Sequence, residues 1–313
     1  MEKNVSVEDL REGQDVDAPF LLGGAELREG RNGKYIDCEI SDCTGSLKCK
    51  IWGVRGDNAP VEEVFPVVKE GGVFRITGRT NKFNGSCVLN INEGVSGLRA
   101  PLEGMNPADY CYAPVDTEAI KQECYTLVNT ISDESLSNFV FEVIVGEDGY
   151  FEKPAAKYNH HAYRGGLAEH SLEVARLVSA MADSVERTGM DRDLALAGAL
   201  LHDIGKCRSF ESKAFGSSAL PAYDLIGHTA LGMQILEGHR DRIDPAKYAH
   251  LLHIVQSHHG DHAEVRPQTL EAWAVHLADL TSAQLHEVAE DLETVSPGTF
   301  NKGAHSHGPV YKF

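Results

Sequence analysis

The sequence predicts a multidomain α and β chain: an N-terminal five-stranded β-barrel over residues 1–95, then an all-α helical bundle over 116–295. Three observations carry this. Short apolar or alternating runs, parted by Gly and Asn-Gly turns, fill the first part. Runs with helical spacing fill the second. Between them, 96–115 holds Gly97, Pro101, Gly104, Pro107 and Pro114, a linker composition. The length, 313 residues, suits about two domains at the usual ~100–200 residues each.

The barrel strands are read at Pro19–Glu26, Lys34–Ser41, Ser46–Gly53, Val73–Thr80 and Cys87–Ile91. The turns between them are Gly23-Gly24, Asn32-Gly33, Thr44-Gly45 and Asn84-Gly85. Asn-Gly between alternating runs is a strong hairpin signal. Pro60 starts a helix, Val61–Lys69, between the third and fourth runs. Five strands with a helix in that place is the layout of an OB-fold. Lys48 and Lys50 alternate with Cys49 and Ile51 and so share one strand face.

In the second part, Thr117–Ile131 and Glu134–Val145 form a helical hairpin closed by Glu147-Asp148-Gly149. Long helices follow at Ala168–Val185, at 191–204 and from about Ala222 or Gly227 to Leu236. Two more open on prolines, Ala246–Ser257 after Pro245 and Gln268–Leu292 after Pro267. Arg208–Leu220 is expected as a polar loop. The tail, 296–313, is expected to be irregular, with His305 and His307 exposed and not ligands.

Hydrophobic content of 42% allows a sizeable core. The polar start, Met1-Glu2-Lys3-Asn4-Val5, does not read as a signal peptide, and no apolar run reaches the ~18 residues of a membrane span. Seven cysteines, an odd number with scattered spacing, suit reduced thiols in a cytoplasm. Cys38, Cys43 and Cys49 lack paired Cys-x-x-Cys knuckles and read as strand or core thiols. The net charge of −18 argues against broad electrostatic binding of nucleic acid. Residues 1–100 hold 13 Lys and Arg against 16 Asp and Glu, a net −3, which leaves −15 for the rest. The first part can therefore present a local basic face. No oligomeric state follows from the sequence, and a homo-oligomer is compatible with it.

The stretch Ala199-Leu200-Leu201-His202-Asp203-Ile204-Gly205-Lys206 sets two metal-ligand types side by side at the end of an apolar run. A buried carboxylate needs a partner, often a metal. Candidate partners are His170 in Gly165-Gly166-Leu167-Ala168-Glu169-His170, His228 after Gly227, His258-His259 after Ser257, and Asp279. This succession resembles the HD phosphohydrolase superfamily. The additional His228, His258 and His259 resemble its branch with two or more metals.

Neighbouring positions on a helix point about 100° apart. His202 and Asp203 are thus an awkward pair for one ion and a natural pair for a cluster, with the carboxylate bridging two. Asp279 closes the first site with His170; His228, His258 and His259 serve the second. Mixed imidazole and carboxylate donors suit Mn, Fe, Co, Ni or Zn more than Ca. Two such ions ~3.5–4 Å apart activate water and clamp phosphate oxygens. Asp203 and Lys206 are the expected catalytic residues, Lys206 reaching the phosphate as a point charge. His160, His161, Tyr163 and Arg164 are expected to support the ligands or touch substrate. His239, His250, His253, His262, His276 and His286 read as hydrogen-bonded core residues.

An OB-fold ahead of such a domain, joined through His160-His161-Ala162-Tyr163-Arg164-Gly165-Gly166-Leu167-Ala168-Glu169-His170, resembles the YhaM-type 3′→5′ exoribonucleases of bacteria. The resemblance covers nearly the whole chain. It implies hydrolysis of single-stranded RNA, and of single-stranded DNA in some members, to nucleoside 5′-monophosphates. It also implies two divalent ions, Mn being the usual expectation. On the barrel, Tyr35-Ile36-Asp37-Cys38-Glu39-Ile40 and Leu47-Lys48-Cys49-Lys50-Ile51-Trp52 resemble nucleic-acid-binding OB domains. The binding face then takes Tyr35, Lys48, Lys50, Trp52, Arg75, Arg79, Lys82 and Phe83, where aromatics stack on bases and cations follow phosphates. Trp52 reads equally well as a core residue of a small barrel, whereas Phe83, in the loop Asn81-Lys82-Phe83-Asn84-Gly85, reads as ligand-facing.

Two other classes compete. One is an HD-type phosphohydrolase acting on a nucleotide or cyclic dinucleotide; the Gly-Tyr-Pro element of the cyclic-di-GMP enzymes is missing after His258-His259. The other is a non-catalytic nucleic-acid-binding or sensing protein, disfavoured because every ligand type and Lys206 are present.

Overall fold

The computed structural model describes residues 5–31, 33–83, 86–92, 94–106, 109–157, 161–213, 216–293, 295–303 and 308–313. The chain divides into two compact units, one ending at Pro114 and one beginning at Val115.

The first unit is a closed barrel of order β1-β2-β3-β5-β4. Its strands are β1 (Asp15–Gly30), β2 (Gly33–Asp42), β3 (Gly45–Trp52), β4 (Gly72–Phe83) and β5 (Ser86–Ile91). Helix α1 (Ala59–Glu70) lies between β3 and β4 in sequence and buries Val61, Val64 and Val68. Gly23-Gly24, expected as a turn, is instead a bulge inside one long strand. The first half of β1 pairs with β4 and the second with β2, and the register slips between Gly23 and Glu26. One bent strand thus serves both neighbours and closes the barrel. Phe20, Leu22, Ile36, Ile40, Ile51, Phe74, Ile76 and Ile91 fill the interior, each worth ~1.5–3 kcal/mol on burial. Cys38 and Cys49 are core thiols, as expected, and Cys43 is exposed.

The stretch expected as a linker is tied down over most of its length. Leu98 joins the barrel core, Leu102 N–H donates to Val73 (2.7 Å) and Asp109 accepts from the Cys43 N–H (3.2 Å). Its Gly and Pro residues make it irregular, but Leu98, Tyr110 and Cys111 are buried and anchor it.

The second unit is helical: α2 (Thr117–Val128), α3 (Glu134–Gly146), α4 (Gly166–Ser184), α5 (Arg192–Leu201), α6 (Pro221–Leu225), α7 (His228–Glu237), α8 (Pro245–Ser257) and α9 (Leu270–Glu293). Asp116, Asp133, Asp191 and Asp244 cap α2, α3, α5 and α8 by accepting from backbone N–H groups of the first turn. Helix α5 is apolar on every side and buried from Leu194 to Leu201, the mark of a central helix. It packs against α3, α4, α8 and α9.

The loop after Lys206 carries a small hairpin, β6 (Phe210–Ser212) with β7 (Ser217–Ala219), pinned by buried Phe210. The tail, expected irregular, forms a second hairpin, β8 (Thr299–Lys302) with β9 (Pro309–Lys312). Val310 buries itself there and Lys312 Nζ donates to the Leu292 carbonyl (3.1 Å). His305 and His307 lie outside the described residues. Among the described residues no helix is long and apolar enough to cross a membrane.

Helix α5 stops at Leu201, short of the expected Ile204. The chain tightens into a 3-10 turn, Ile204–Arg208, where Gly205 lies against α7. A Cβ on Gly205 would stand 1.9 Å from the His228 carbonyl oxygen and 2.4 Å from Gly232 N. Tyr150 donates to the Leu200 carbonyl (2.8 Å) and Ser209 to that of Gly205 (3.0 Å), satisfying acceptors left over at the helix end. Gly205→Ala should therefore push α7 away and cost about 1–3 kcal/mol or more, the range for overpacking. Chemical denaturation should show it; an unchanged midpoint would contradict this packing.

Candidate metal centre

Several elements deliver the ligands. His170 projects from α4, His228 opens α7, His258 and His259 follow α8, and Asp279 lies within α9. His202 and Asp203 occupy the break between α5 and the 3-10 turn. That break corrects the expectation of one continuous helix. The two neighbouring side chains converge, with His202 Nε2 3.4 Å from Asp203 Oδ2.

The two oxygens of buried Asp203 look at different neighbours. Oδ2 lies 3.4 Å from His202 Nε2 and 3.6 Å from His170 Nε2. Oδ1 lies 3.3 Å from His228 Nε2 and 3.8 Å from His258 Nε2. Asp279 Oδ1 joins the first group, 3.1 Å from His170 Nε2. His259 Nε2 joins the second, 2.9 Å from His228 Nε2. His170, His202 and Asp203 form one candidate metal cluster, and His228, His258 and His259 another.

The hydrogen bonds behind the rings decide which nitrogen faces inward. His202 Nδ1 lies 2.7 Å from the Ala199 carbonyl, and His258 Nδ1 2.7 Å from that of Val255. A carbonyl only accepts, so both Nδ1 atoms carry the proton. Ser282 donates its hydroxyl to Glu173 Oε2 (2.6 Å), so it accepts from His170 Nδ1–H at 3.1 Å. In all three rings the Nε2 lone pair points at the centre. His170 and His202 bring these nitrogens within 3.3 Å of each other. Asp203 Oδ1 is buried and accepts no hydrogen bond. Converging lone pairs and buried carboxylates call for cations. Lys206 supplies one, its ammonium 2.5 Å from Asp203 Oδ2. The remaining donors, imidazole and carboxylate, fit divalent transition metals.

The electrostatics agree. Burial alone would raise the Asp203 carboxyl, but Lys206, His202 and His228 outweigh it and hold its pKa well below the usual range. Asp279 is lowered likewise, against burial, by the His170 hydrogen bond and the charge at His202. Burial lowers His170, His258 and His259 and takes His228 down to about 4. These rings are neutral ligands at neutral pH. In His202 burial is overcome by Asp203 and Asp279, and its pKa rises. A proton there stands where a metal cation would, so metal binding competes with it.

His170, His202, Asp203 and His258 are buried, whereas His228 is half-buried and His259 exposed. The cluster thus opens to solvent on the side of His228 and His259. Of the other expected residues, Lys206 is committed to Asp203. The His161 ring lies tilted beside the His170 ring, centroids 5.3 Å apart, and Tyr163 donates to Glu169. Arg164 pairs with Glu152 rather than with any ligand, and His160 lies outside the described residues. Glu173 and Ser282, which set the His170 tautomer, were missed. Their signal is helical spacing, three residues beyond His170 and Asp279 respectively. Of the histidines read as core, His276 donates to the His258 carbonyl (2.7 Å) and His250 meets Thr269 Oγ1 (2.8 Å). His286 instead reaches Glu173, 3.0 Å from Oε1.

On the barrel, Tyr35 and Trp52 are cross-strand partners, stacked with centroids 4.6 Å apart. Trp52 Nε1 donates to Asn90 Oδ1 (2.8 Å), which places it on the outer face rather than in the core. Lys50 lies over the exposed Phe83 ring, 4.2 Å from its centroid. Lys48 and Lys82 are exposed. Arg75 and Arg79 differ from the rest because Asp17 and Asp15 on β1 pair with them at 2.8 and 2.7 Å, cancelling much of their charge.

Two outcomes follow. Asp203→Ala removes the carboxylate shared by both groups and should cost at least one bound ion per chain by elemental analysis; an unchanged metal content would contradict the sharing. In metal-free protein, His228 binds its proton near 6.5 unfolded and near 4 folded. Its contribution to stability is complete above pH 6.5 and is lost as pH falls towards 4. Denaturation in chelator at several pH values should show this slope, reduced in His228→Asn; equal slopes for both proteins would contradict it.

Residues 167–284 match the HD domain family. The chain is 26% identical over 302 residues to the 3′-5′ exoribonuclease YhaM of Listeria welshimeri, covering 94% of this chain and 93% of that one. It is 27% identical to YhaM of Shouchella clausii, covering 93% and 91%. To YhaM of Bacillus subtilis it is 25% identical, again covering 93% and 91%. The helical unit therefore carries an HD domain, and the chain is similar along nearly its whole length to the YhaM exoribonucleases.

Proposed function

We propose that this chain is a metal-dependent 3′→5′ exoribonuclease that trims single-stranded RNA to nucleoside 5′-monophosphates, with single-stranded DNA a second candidate substrate. The observation that carries the reading is the division of the Asp203 oxygens between two groups of ligands. His170, His202, Asp203 and Asp279 hold one divalent ion in this reading. His228, His258 and His259, with the other Asp203 oxygen, hold a second. Manganese is the expected metal. Such a pair of ions supplies an activated water and neutralises charge on a phosphate.

The protein's own groups do the positioning. Neutral imidazoles and ionised carboxylates keep the ligand set ready at neutral pH. Lys206 fixes the shared carboxylate, and its ammonium has further N–H donors for a phosphate oxygen. Access past His228 and His259 suits a strand end. Water adds to the last phosphorus and the bond to the preceding O3′ breaks. The terminal nucleotide leaves as a 5′-monophosphate, and a new 3′-hydroxyl remains for the next cycle. The direction is supported by the similarity to YhaM exoribonucleases.

The outer barrel face gives the strand a place to stack, with Tyr35, Trp52 and Phe83 as aromatic platforms and Lys48, Lys50 and Lys82 as cations. A nucleotide or cyclic-dinucleotide phosphohydrolase has no use for such a face, and this disfavours that alternative. All seven cysteines are free thiols, in keeping with a reducing cytoplasm.

Incubation with Mn2+ and end-labelled RNA tests the reading. A 3′-labelled strand should yield labelled mononucleotide at once, while a 5′-labelled strand shortens stepwise. Rapid cutting of circular RNA would overturn the assignment. Trp52→Ala should raise KM for single strands about 5–150-fold, the equivalent of ~1–3 kcal/mol of stacking. It should leave hydrolysis of a small phosphodiester unchanged; equal losses on both substrates would exclude a role in holding the strand.

A further inference from the structure

Behind His170, on the side away from Asp203, lies a second group of metal-binding side chains. Glu169 and Glu173 are four residues apart on α4 and so share a face. His161 Nε2 lies 3.4 Å from Glu173 Oε2 and 4.0 Å from Glu169 Oε2. His286, from α9, places Nε2 3.0 Å and 3.1 Å from the two Glu173 oxygens. The His161 and His286 rings have centroids 4.1 Å apart. His161 and Glu173 also fall in one cluster of ligand-type atoms with His170, all within 4.8 Å of one another, although His170 is already turned towards Asp203.

We propose that His161, Glu169, Glu173 and His286 form a further divalent-cation site, separate from the ligand set around Asp203. Ligand atoms around one ion at ~2.0–2.2 Å stand roughly 3.0–3.4 Å apart. His161 Nε2 and His286 Nε2 each keep that spacing to Glu173, and Glu169 Oε2 stands 4.0 Å from His161 Nε2. Two nitrogens and carboxylate oxygens suit Mn2+, Fe2+ or Zn2+.

Charge favours an ion here. Two carboxylates at i and i+4 repel each other unless a cation lies between them. Among the described residues no lysine or arginine comes within ion-pair distance of Glu169 or Glu173. The backbone holds His161 in place. Its φ is +57°, the left-handed region, unique among the described non-glycine residues. Its carbonyl presses on the start of α4, where a Cβ on Gly166 would stand 2.0 Å away. Ser282 links the two regions, accepting from His170 and donating to Glu173.

The alternative is a hydrogen-bonded His–Glu–His network with no ion, and counting bound metal in the full chain separates the two. Wild-type protein and His286→Ala are equilibrated with Mn2+, freed of loose metal and compared by elemental analysis. His286→Ala should hold one ion per chain fewer than wild type. Glu169→Gln, which keeps its shape and the Tyr163 hydrogen bond, should show the same deficit and guards against misfolding in the first variant. Equal metal content in wild type and both variants would overturn the site. Because Asp203 and its ligands are untouched, that result would leave the exoribonuclease reading intact.

Discussion

The second unit depends on one buried anion. Asp203 is enclosed among apolar helices, where an uncompensated carboxylate would cost several kcal/mol. The fold gathers positive charge and acceptors of positive charge around it: Lys206 on one oxygen and imidazole rings on both. Everything near it is arranged to keep those rings aimed inward. Backbone carbonyls hold His202 and His258, and the Ser282–Glu173 relay holds His170. Such outer support fixes ring orientation and tautomer as firmly as the ligands fix the ion.

That requirement explains local choices that are otherwise odd. Helix α5 stops at Leu201, just before the ligands, where His202, Asp203 and Gly205 are weak helix formers. Gly205 lets α7 approach closely enough to bring His228 to Asp203. Tyr150 and Ser209 take up carbonyls at the break. Close approach is thus concentrated where the ligands converge, and the surrounding bundle holds them there.

Much of this was legible in the sequence. The alternating runs gave the barrel strands, and the capped, helically spaced runs gave α2, α3, α5 and α8, because short-range pattern decides those elements. The spaced His and Asp residues marked the ligands. The rest depended on contacts distant in sequence. The bend in β1 comes from pairing with two different strands, the anchored stretch after the barrel from buried Leu98 and Tyr110, and the tail hairpin from Val310. Glu173, Ser282 and His286 were hidden because they matter only once α4 and α9 are side by side. The salt bridges that occupy Arg75 and Arg79 required the β1–β4 register.

The division of Asp203 between two ions is the central claim, and anomalous scattering from crystals grown with Mn2+ tests it most directly. The account predicts two strong peaks, each within roughly 2.0–2.3 Å of a different Asp203 oxygen. One should be flanked by His170, His202 and Asp279, and the other by His228 and His258. A single peak, or peaks that leave Asp203 bound to Lys206 alone, would contradict it.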